Sequence, residues 1–346
     1  MMKYKILKKN DLSAFLDALK ERYKIWGPRS EGKQIKFAPI SDAGLMCLDK
    51  FQNSTMSPKN IFFPQSEIML SFRRSGEDAN IYKETENKPS TKAIFGIRPC
   101  DARAFFLLDM IFKNDQFTDT YWFSKRDAAT LIGLGCNEPC SSCFCTSVDS
   151  HPFGEKGLDV LASDLGDRYL LKVLTEKGEK LLGGLSFLDD PKDTDLAEQK
   201  ALSKKAEDTL SSKISLENIK SKTVLQLYNQ DCWSEVNEPC LNCGTCTYVC
   251  PTCHCFDIQD EVYRDGGVRI RNWDSCMSWL FTVHATGHNP RPSKKERVRQ
   301  RFMHKFKYIP VKRAGEIGCV GCGRCVNLCP VNIDIREVVK TMNSAK

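Results

Sequence analysis

Two short runs restrict this chain more than anything else in it. Residues 240–251 read C-L-N-C-G-T-C-T-Y-V-C-P, and residues 319–330 read C-V-G-C-G-R-C-V-N-L-C-P. Both follow C-x2-C-x2-C-x3-C-P, a spacing that holds [4Fe–4S] clusters. Three thiolates at this spacing let a tight loop wrap one face of an iron–sulfur cubane. Gly244 and Gly323 are expected to relieve crowding where backbone approaches sulfur. The fourth cysteine of each run, followed by proline, serves the other cluster. One cluster is therefore expected on Cys240, Cys243, Cys246 and Cys329, and a second on Cys319, Cys322, Cys325 and Cys250. Structural zinc sites use pairs of C-x2-C knuckles, which the triple with a trailing C-P matches poorly. The C-x5-C and C-x3-C spacings of sirohaem sites arise inside the two runs, where the thiols are already used.

The runs belong to a chain of 346 residues with 18 cysteines. The N-terminus, M-M-K-Y-K-I-L-K-K, has no apolar stretch of signal-peptide length. The longest apolar runs are about five residues, against the ~20 of a spanning helix, so no membrane span is expected. A cytoplasmic location is expected, where thiols stay reduced and clustered cysteines mean metal rather than disulfides. Apolar residues make up 41% and charged residues 27%, which excludes disorder, collagen and coiled coil for the bulk of the chain.

The length allows two or three domains at roughly 100–200 residues each. Near the N-terminus, Leu12, Phe15, Leu16 and Leu19 fall at helical spacing behind Asp11, a helix-capping residue type. K-A-I-F-G-I-R (92–98) and T-L-I-G-L-G (130–135) read as apolar strands flanking a helix over 101–112, and 168–174 as a further strand. Strand, helix, strand predicts a parallel βαβ unit. The fold class expected is an α/β N-terminal domain (1–225) followed by an α+β, ferredoxin-like dicluster domain (226–346). Residues 189–222 are polar and charged and read as an exposed helical connector. Cys250 and Cys319 are 69 residues apart, so the second domain carries an insertion at about 256–315.

A second cysteine group lies in the first domain. Cys100 follows the first strand and Cys136 the second; if the strands are parallel neighbours, both reach the carboxyl edge where open α/β sheets place ligands. With Cys143 and Cys145 they make a set for a third cluster, Cys140 being a rival ligand or a spare. Cys253, Cys255 and Cys276 form a third group, one thiol short of a set. They read either as ligands completed by Cys232 or a non-cysteine residue, or as small apolar residues packed near the clusters. Cys47 and Cys232 read most simply as structural. The five histidines are scattered and only His254 sits among cysteines. No hydrolase, zinc-protease or P-loop motif is present, and the glycines at 133 and 135 lack the third glycine of a dinucleotide fingerprint. No catalytic residue is expected.

Net charge is +7, yet residues 291–313 alone carry +9 and the rest of the chain −2. A [4Fe–4S] core with four thiolates carries about −2 overall, so lysines and arginines beside several clusters would offset that field and raise reduction potential. They could also orient an acidic partner. The alternative is a cluster-based redox sensor that binds nucleic acid through 291–308, with Phe302, Phe306 and Tyr308 as stacking groups.

The chain resembles a family of [4Fe–4S] dicluster subunits found both in cytosolic sulfhydrogenase, as its β subunit, and in anaerobic sulfite reductase. The resemblance rests on M-S-P-K-N-I-F-F-P-Q-S-E (56–67), I-F-G-I-R-P-C-D (94–101), C-F-C (143–145), C-P-T-C-H-C (250–255), W-D-S-C (273–276), G-H-N-P-R-P-S-K-K-E-R (287–297) and the two cysteine runs. It implies an electron-transfer subunit, and the oxygen sensitivity of several clusters leads to the expectation of an anaerobic host. A separate FAD- and NAD(P)-binding reductase subunit would take hydride, this chain would pass single electrons, and a nickel–iron hydrogenase or sirohaem sulfite reductase subunit would use or supply them. The eight paired-loop cysteines match the family pattern, as do Cys100, Cys136, Cys143 and Cys145; Cys253, Cys255 and Cys276 also match. Two [4Fe–4S] clusters are implied, with a third on the N-terminal set.

Overall fold

The computed structural model describes residues 3–49, 51–75, 78–83 and 89–344. Its strands are Tyr4–Lys8 (β1), Lys24–Glu31 (β2), Gln34–Pro39 (β3), Ser66–Ser75 (β4), Asp78–Lys83 (β5), Lys92–Ile97 (β6), Ala129–Leu134 (β7), Val160–Asp164 (β8), Arg168–Val173 (β9), Phe256–Tyr263 (β10) and Gly266–Trp273 (β11). Seven of them form one mixed sheet in the order β1-β9-β8-β7-β6-β2-β3. Its centre is parallel, β2–β6–β7–β8, and both flanks are antiparallel.

The expected βαβ unit is present. β6 and β7 pair in parallel with Ile94 opposite Leu131. Every residue of β7 is buried, the continuous apolar run that a covered parallel strand requires. The crossover helix spans Pro99–Phe112, with Pro99 in its first turn and Arg98 extended before it. It buries Ala102, Phe105 and Leu108 against the sheet. Phe112 stacks on Trp122 at 5.0 Å between ring centroids. At the N-terminus the helix Leu12–Lys20 buries Phe15, Leu16 and Leu19 as the spacing predicts. Asp11 stands at its N-cap position but makes no side-chain capping bond.

Two expectations change. Residues 189–222 are less exposed than their charge suggests. The helix Asp193–Thr209 buries Ala206 in the sheet's core, while Ile214, Leu216 and Ile219 enter a second core built round Trp233, Phe302, Phe306 and Val339. The sparse apolar positions of the segment were enough to fasten it between two cores. Residues 226–346 also do not stand apart from 1–225. β11, from the insertion, pairs antiparallel with β4, giving a second sheet β10-β11-β4-β5 that joins both halves. Phe144 and Val148 from the N-terminal half sit in the second core.

One buried cation anchors that second sheet. Arg271 on β11 is buried and donates to Glu67 on β4 at 2.6 Å and to Asp119 at 2.5 Å. Removing one partner of a buried ion pair typically costs about 3–5 kcal/mol, because the other charges stay buried. Arg271→Met should therefore lower the melting temperature of the anaerobically purified protein, and adding Glu67→Gln should recover part of the loss. An unchanged melting curve would contradict this role.

Candidate metal centres

The paired loops share one backbone design. Gly244 (φ +74°) and Gly323 (φ +72°) take left-handed conformations and start the short helices Thr245–Tyr248 and Arg324–Asn327. Asn242 and Gly321, the equivalent earlier positions, are also left-handed. This curls each loop so that amides turn toward thiols. Asn242 N–H points at Cys240 Sγ (3.4 Å) and Gly321 N–H at Cys319 Sγ (3.4 Å); Ile333 N–H reaches Cys329 Sγ at 3.2 Å. The glycines serve a different purpose from the one expected at 323. A Cβ there would stand 2.2 Å from Ser142 Oγ, and one on Gly321 would stand 2.6 Å from the backbone of Cys145. What crowds the loop is the N-terminal domain's own cysteine segment rather than its sulfurs.

The structure brings together the first four thiols expected of a cluster. Cys240, Cys243, Cys246 and Cys329 line one cleft of about 500 Å³ walled by Met277, Val298 and Phe302. Cys319, Cys322, Cys325 and Cys250 come together deeper in the fold, close enough to influence one another's ionisation. Burial pushes Cys319 up to about 11 and Cys322 up to about 12.

The third set also assembles. Cys100, Cys136, Cys143 and Cys145 line a single cavity at the carboxyl edge of β6 and β7, as the parallel pairing predicts. Cys140 lines it too, and the neighbouring Cys143 thiol holds it below the ordinary thiol range, while Cys143 Sγ itself donates to Cys322 O at 3.7 Å. Five thiols of the N-terminal half, with Cys322 of the second paired loop beside them, therefore line a space that needs four. Sequence spacing could not rank them, because all five fall within one turn-rich stretch and one strand end.

This cavity lies directly against the second paired loop. Phe144 N–H donates to Gly321 O at 2.9 Å, and Cys100 packs with Val320 and Cys322. Arg324, between Cys322 and Cys325, is buried. It donates to both oxygens of Asp101 (2.8 and 2.7 Å), to Ser54 O (2.8 Å) and to Asn53 Oδ1 (2.5 Å). Asp101 is the neighbour of Cys100. The ion pair thus fastens one cysteine loop to the other. Neither partner stood out in the sequence, although a charge inside each cysteine motif was the available signal.

Cys255 and Cys276 lie close enough to shift one another's ionisation, as do Cys253 and Cys250. The group lies beside the second set. Cys232 is not part of it, since its thiol turns to Gln230 Oε1 at 3.7 Å. His254 Nδ1–H donates to Thr252 O (3.1 Å), and its ring lies tilted 5.5 Å from that of His304, with burial pulling its pKa down to about 4.

Electrostatics show whether iron–sulfur clusters fit these residues. Lys59, Arg301 and Lys305 are buried among the thiols with no carboxylate partner among the described residues. Lys305 Nζ reaches Cys250 Sγ at 3.1 Å and Thr252 Oγ1 at 2.9 Å. Lys59 Nζ holds the carbonyls of Cys250 (2.9 Å) and Cys253 (2.7 Å) over the Trp273 ring. Arg301 lines the first cleft, lies near both Cys246 and Cys325, and leaves Nε without a partner. Near the third set, Arg98 Nε and Ser142 Oγ are likewise buried and unpaired. Uncompensated buried charge costs several kcal/mol. Anionic thiolate clusters are the counter-charge and hydrogen-bond acceptors these donors lack, so the residues fit the group.

Two cations of the basic segment, Arg301 and Lys305, are spent on this task, while Arg297, Arg299 and Lys307 are held by backbone carbonyls. The helix Lys294–Met303 and the turn after it bury Arg297, Arg299, Arg301, Lys305 and Lys307. Phe302 and Phe306 are buried in the second core, so they offer no stacking face to nucleic acid. Among the described residues, no helix is long and apolar enough to cross a membrane.

Removing Arg324 would strand Asp101, which is fully buried. Arg324→Met is expected to cost about 3–5 kcal/mol and to lower the iron retained after gel filtration. Arg324→Lys should restore part of both. Wild-type melting and iron content in Arg324→Met would rule the lock out.

Residues 239–333 match a family described as a 4Fe–4S dicluster domain. The chain is 29% identical over 342 residues to sulfhydrogenase 2 subunit beta of Pyrococcus furiosus, covering 98% of each chain. No solved structure matches it. The similarity to the sulfhydrogenase subunit extends along almost the whole chain, while the match to the dicluster domain covers residues 239–333.

Proposed function

We propose that this iron–sulfur chain is the electron-relay subunit of a multi-subunit oxidoreductase. It carries single electrons between a flavin subunit that exchanges hydride with NAD(P)H and a terminal subunit where the substrate reacts. The sulfhydrogenase relative favours a hydrogenase of the nickel–iron type as that terminal subunit. Three [4Fe–4S] clusters make up the relay. The first is held by Cys240, Cys243, Cys246 and Cys329, the second by Cys319, Cys322, Cys325 and Cys250. The third is held by Cys100, Cys136, Cys143 and Cys145, with Cys140 as a fifth thiol in the same cavity. When bound, each cluster supplies one-electron chemistry.

The observation that carries this reading is the end-to-end placement of the three thiol sets. Cys246 and Cys325 lie together beside Arg301, and Cys322 and Cys100 line one cavity. Cys243 is the most exposed cysteine of the first set and opens that end toward the surface. The rest of the chain does what a relay needs. The two cores keep water from the sulfurs, the loop amides hold the thiolates, and Lys59, Arg301 and Lys305 stabilise added negative charge. No nucleophile or general base is required.

A reduction experiment separates relay from enzyme. In the native complex, NADPH under anaerobic conditions should generate the cluster signals of this chain in low-temperature EPR. The isolated chain should stay oxidised with NADPH and be reduced only by dithionite. An isolated chain that accepts electrons from NADPH, or turns over a substrate unaided, would overturn the proposal.

A further inference from the structure

A second kind of site lies beside the clusters. A cleft of about 450 Å³ opens between the end of the helix Pro99–Phe112 and the turn that follows the helix Lys294–Met303. Arg291, Lys312 and Arg313 line it, with His254, His304 and Tyr308. Among the described residues, the three cations form no ion pair with any carboxylate, and no acidic residue lines the cleft. This differs from the chain's other exposed cations, many of which are paired, as Lys5 is with Asp190 and Arg269 with Asp260. It also differs from Arg297 and Arg299, on the same basic segment, which are buried and donate to backbone carbonyls. Here the donors are left facing open space.

We propose that this cleft binds a small polyanion carrying a phosphate or pyrophosphate group. Three positive charges in a concave site, with no acid to offset them, favour a ligand with at least two negative charges. Two of the three are arginines, whose planar fork matches phosphate oxygens bidentately. The imidazoles and the Tyr308 hydroxyl add uncharged donors. Ile111 and Ile309 give apolar wall on which the uncharged part of an organic phosphate can rest. The volume falls in the range of small-molecule sites rather than of a flat protein–protein face. The position is informative as well. His254 lies between Cys253 and Cys255, and His304 precedes Lys305, which touches Cys250 Sγ. A bound anion would therefore sit close to the second thiol set.

Pyrophosphate is the direct probe. Titration calorimetry on the anaerobic, iron-loaded chain should show saturable one-site binding that weakens with rising salt. In Lys312→Gln/Arg313→Gln, affinity should fall at least tenfold, while the visible spectrum of the clusters stays as in wild type. Sulfate, with no second phosphate, should bind more weakly than pyrophosphate. No saturable binding at millimolar pyrophosphate, or equal affinity in the double variant, overturns the site, as does an acidic polypeptide that binds this cleft when pyrophosphate does not. The cluster spectrum in the same samples reports on the relay separately. Colourless protein that still binds pyrophosphate would remove the relay and leave the cleft.

Discussion

Positive charge buried beside sulfur is the condition on which the rest of this structure depends. Lys59, Arg301 and Lys305 sit inside the fold with carbonyls, hydroxyls and thiols around them and no carboxylate partner among the described residues. Left alone, a buried charge of this kind would oppose folding by several kcal/mol. Thiolate-bound clusters reverse that sign. The same cations then hold the clusters and ease the arrival of an electron, because each added negative charge meets a fixed positive one. Folding and redox function draw on one electrostatic arrangement, and the chain is expected to be poorly stable without its iron.

The geometry extends this from single sites to a line of sites. The second cysteine loop is held on one side by its partner loop and on the other by the N-terminal cysteine segment. Gly321 and Gly323 permit the close approach, and the Arg324–Asp101 pair fastens it. A ferredoxin-type pair of loops has thus been built against the carboxyl edge of a parallel sheet, the place where such sheets usually receive ligands. The insertion between the loops does not interrupt this. It supplies β11 to a sheet shared by both halves and delivers Arg301 and Lys305 to the thiols.

Much of this was legible in the sequence. The two C-x2-C-x2-C-x3-C-P runs identify their eight thiols because ligand spacing is a local property. The βαβ unit was legible because apolar runs of six residues flanked a helical pattern, and from it the meeting of Cys100 with Cys136 followed. Other features were not legible, for physical reasons. A basic run such as 291–313 looks alike whether it is solvated or buried against anions, and the periodicity of Phe302 and Phe306 says only that one face is apolar. Arg324 and Asp101 are 223 residues apart, a separation no local pattern bridges. Cys140 and Cys145 cannot be ranked by spacing, since both reach the same cavity.

The central claim is that these thiols hold cubane clusters in series. The most direct measurement is iron and sulfide analysis of anaerobically purified chain, joined to low-temperature EPR after dithionite. Clusters in series predict brown protein with about twelve iron atoms and three magnetically interacting reduced clusters. Eight irons would retain the paired loops and remove the N-terminal set. Pale, iron-free protein that stays silent after reduction would contradict the claim altogether.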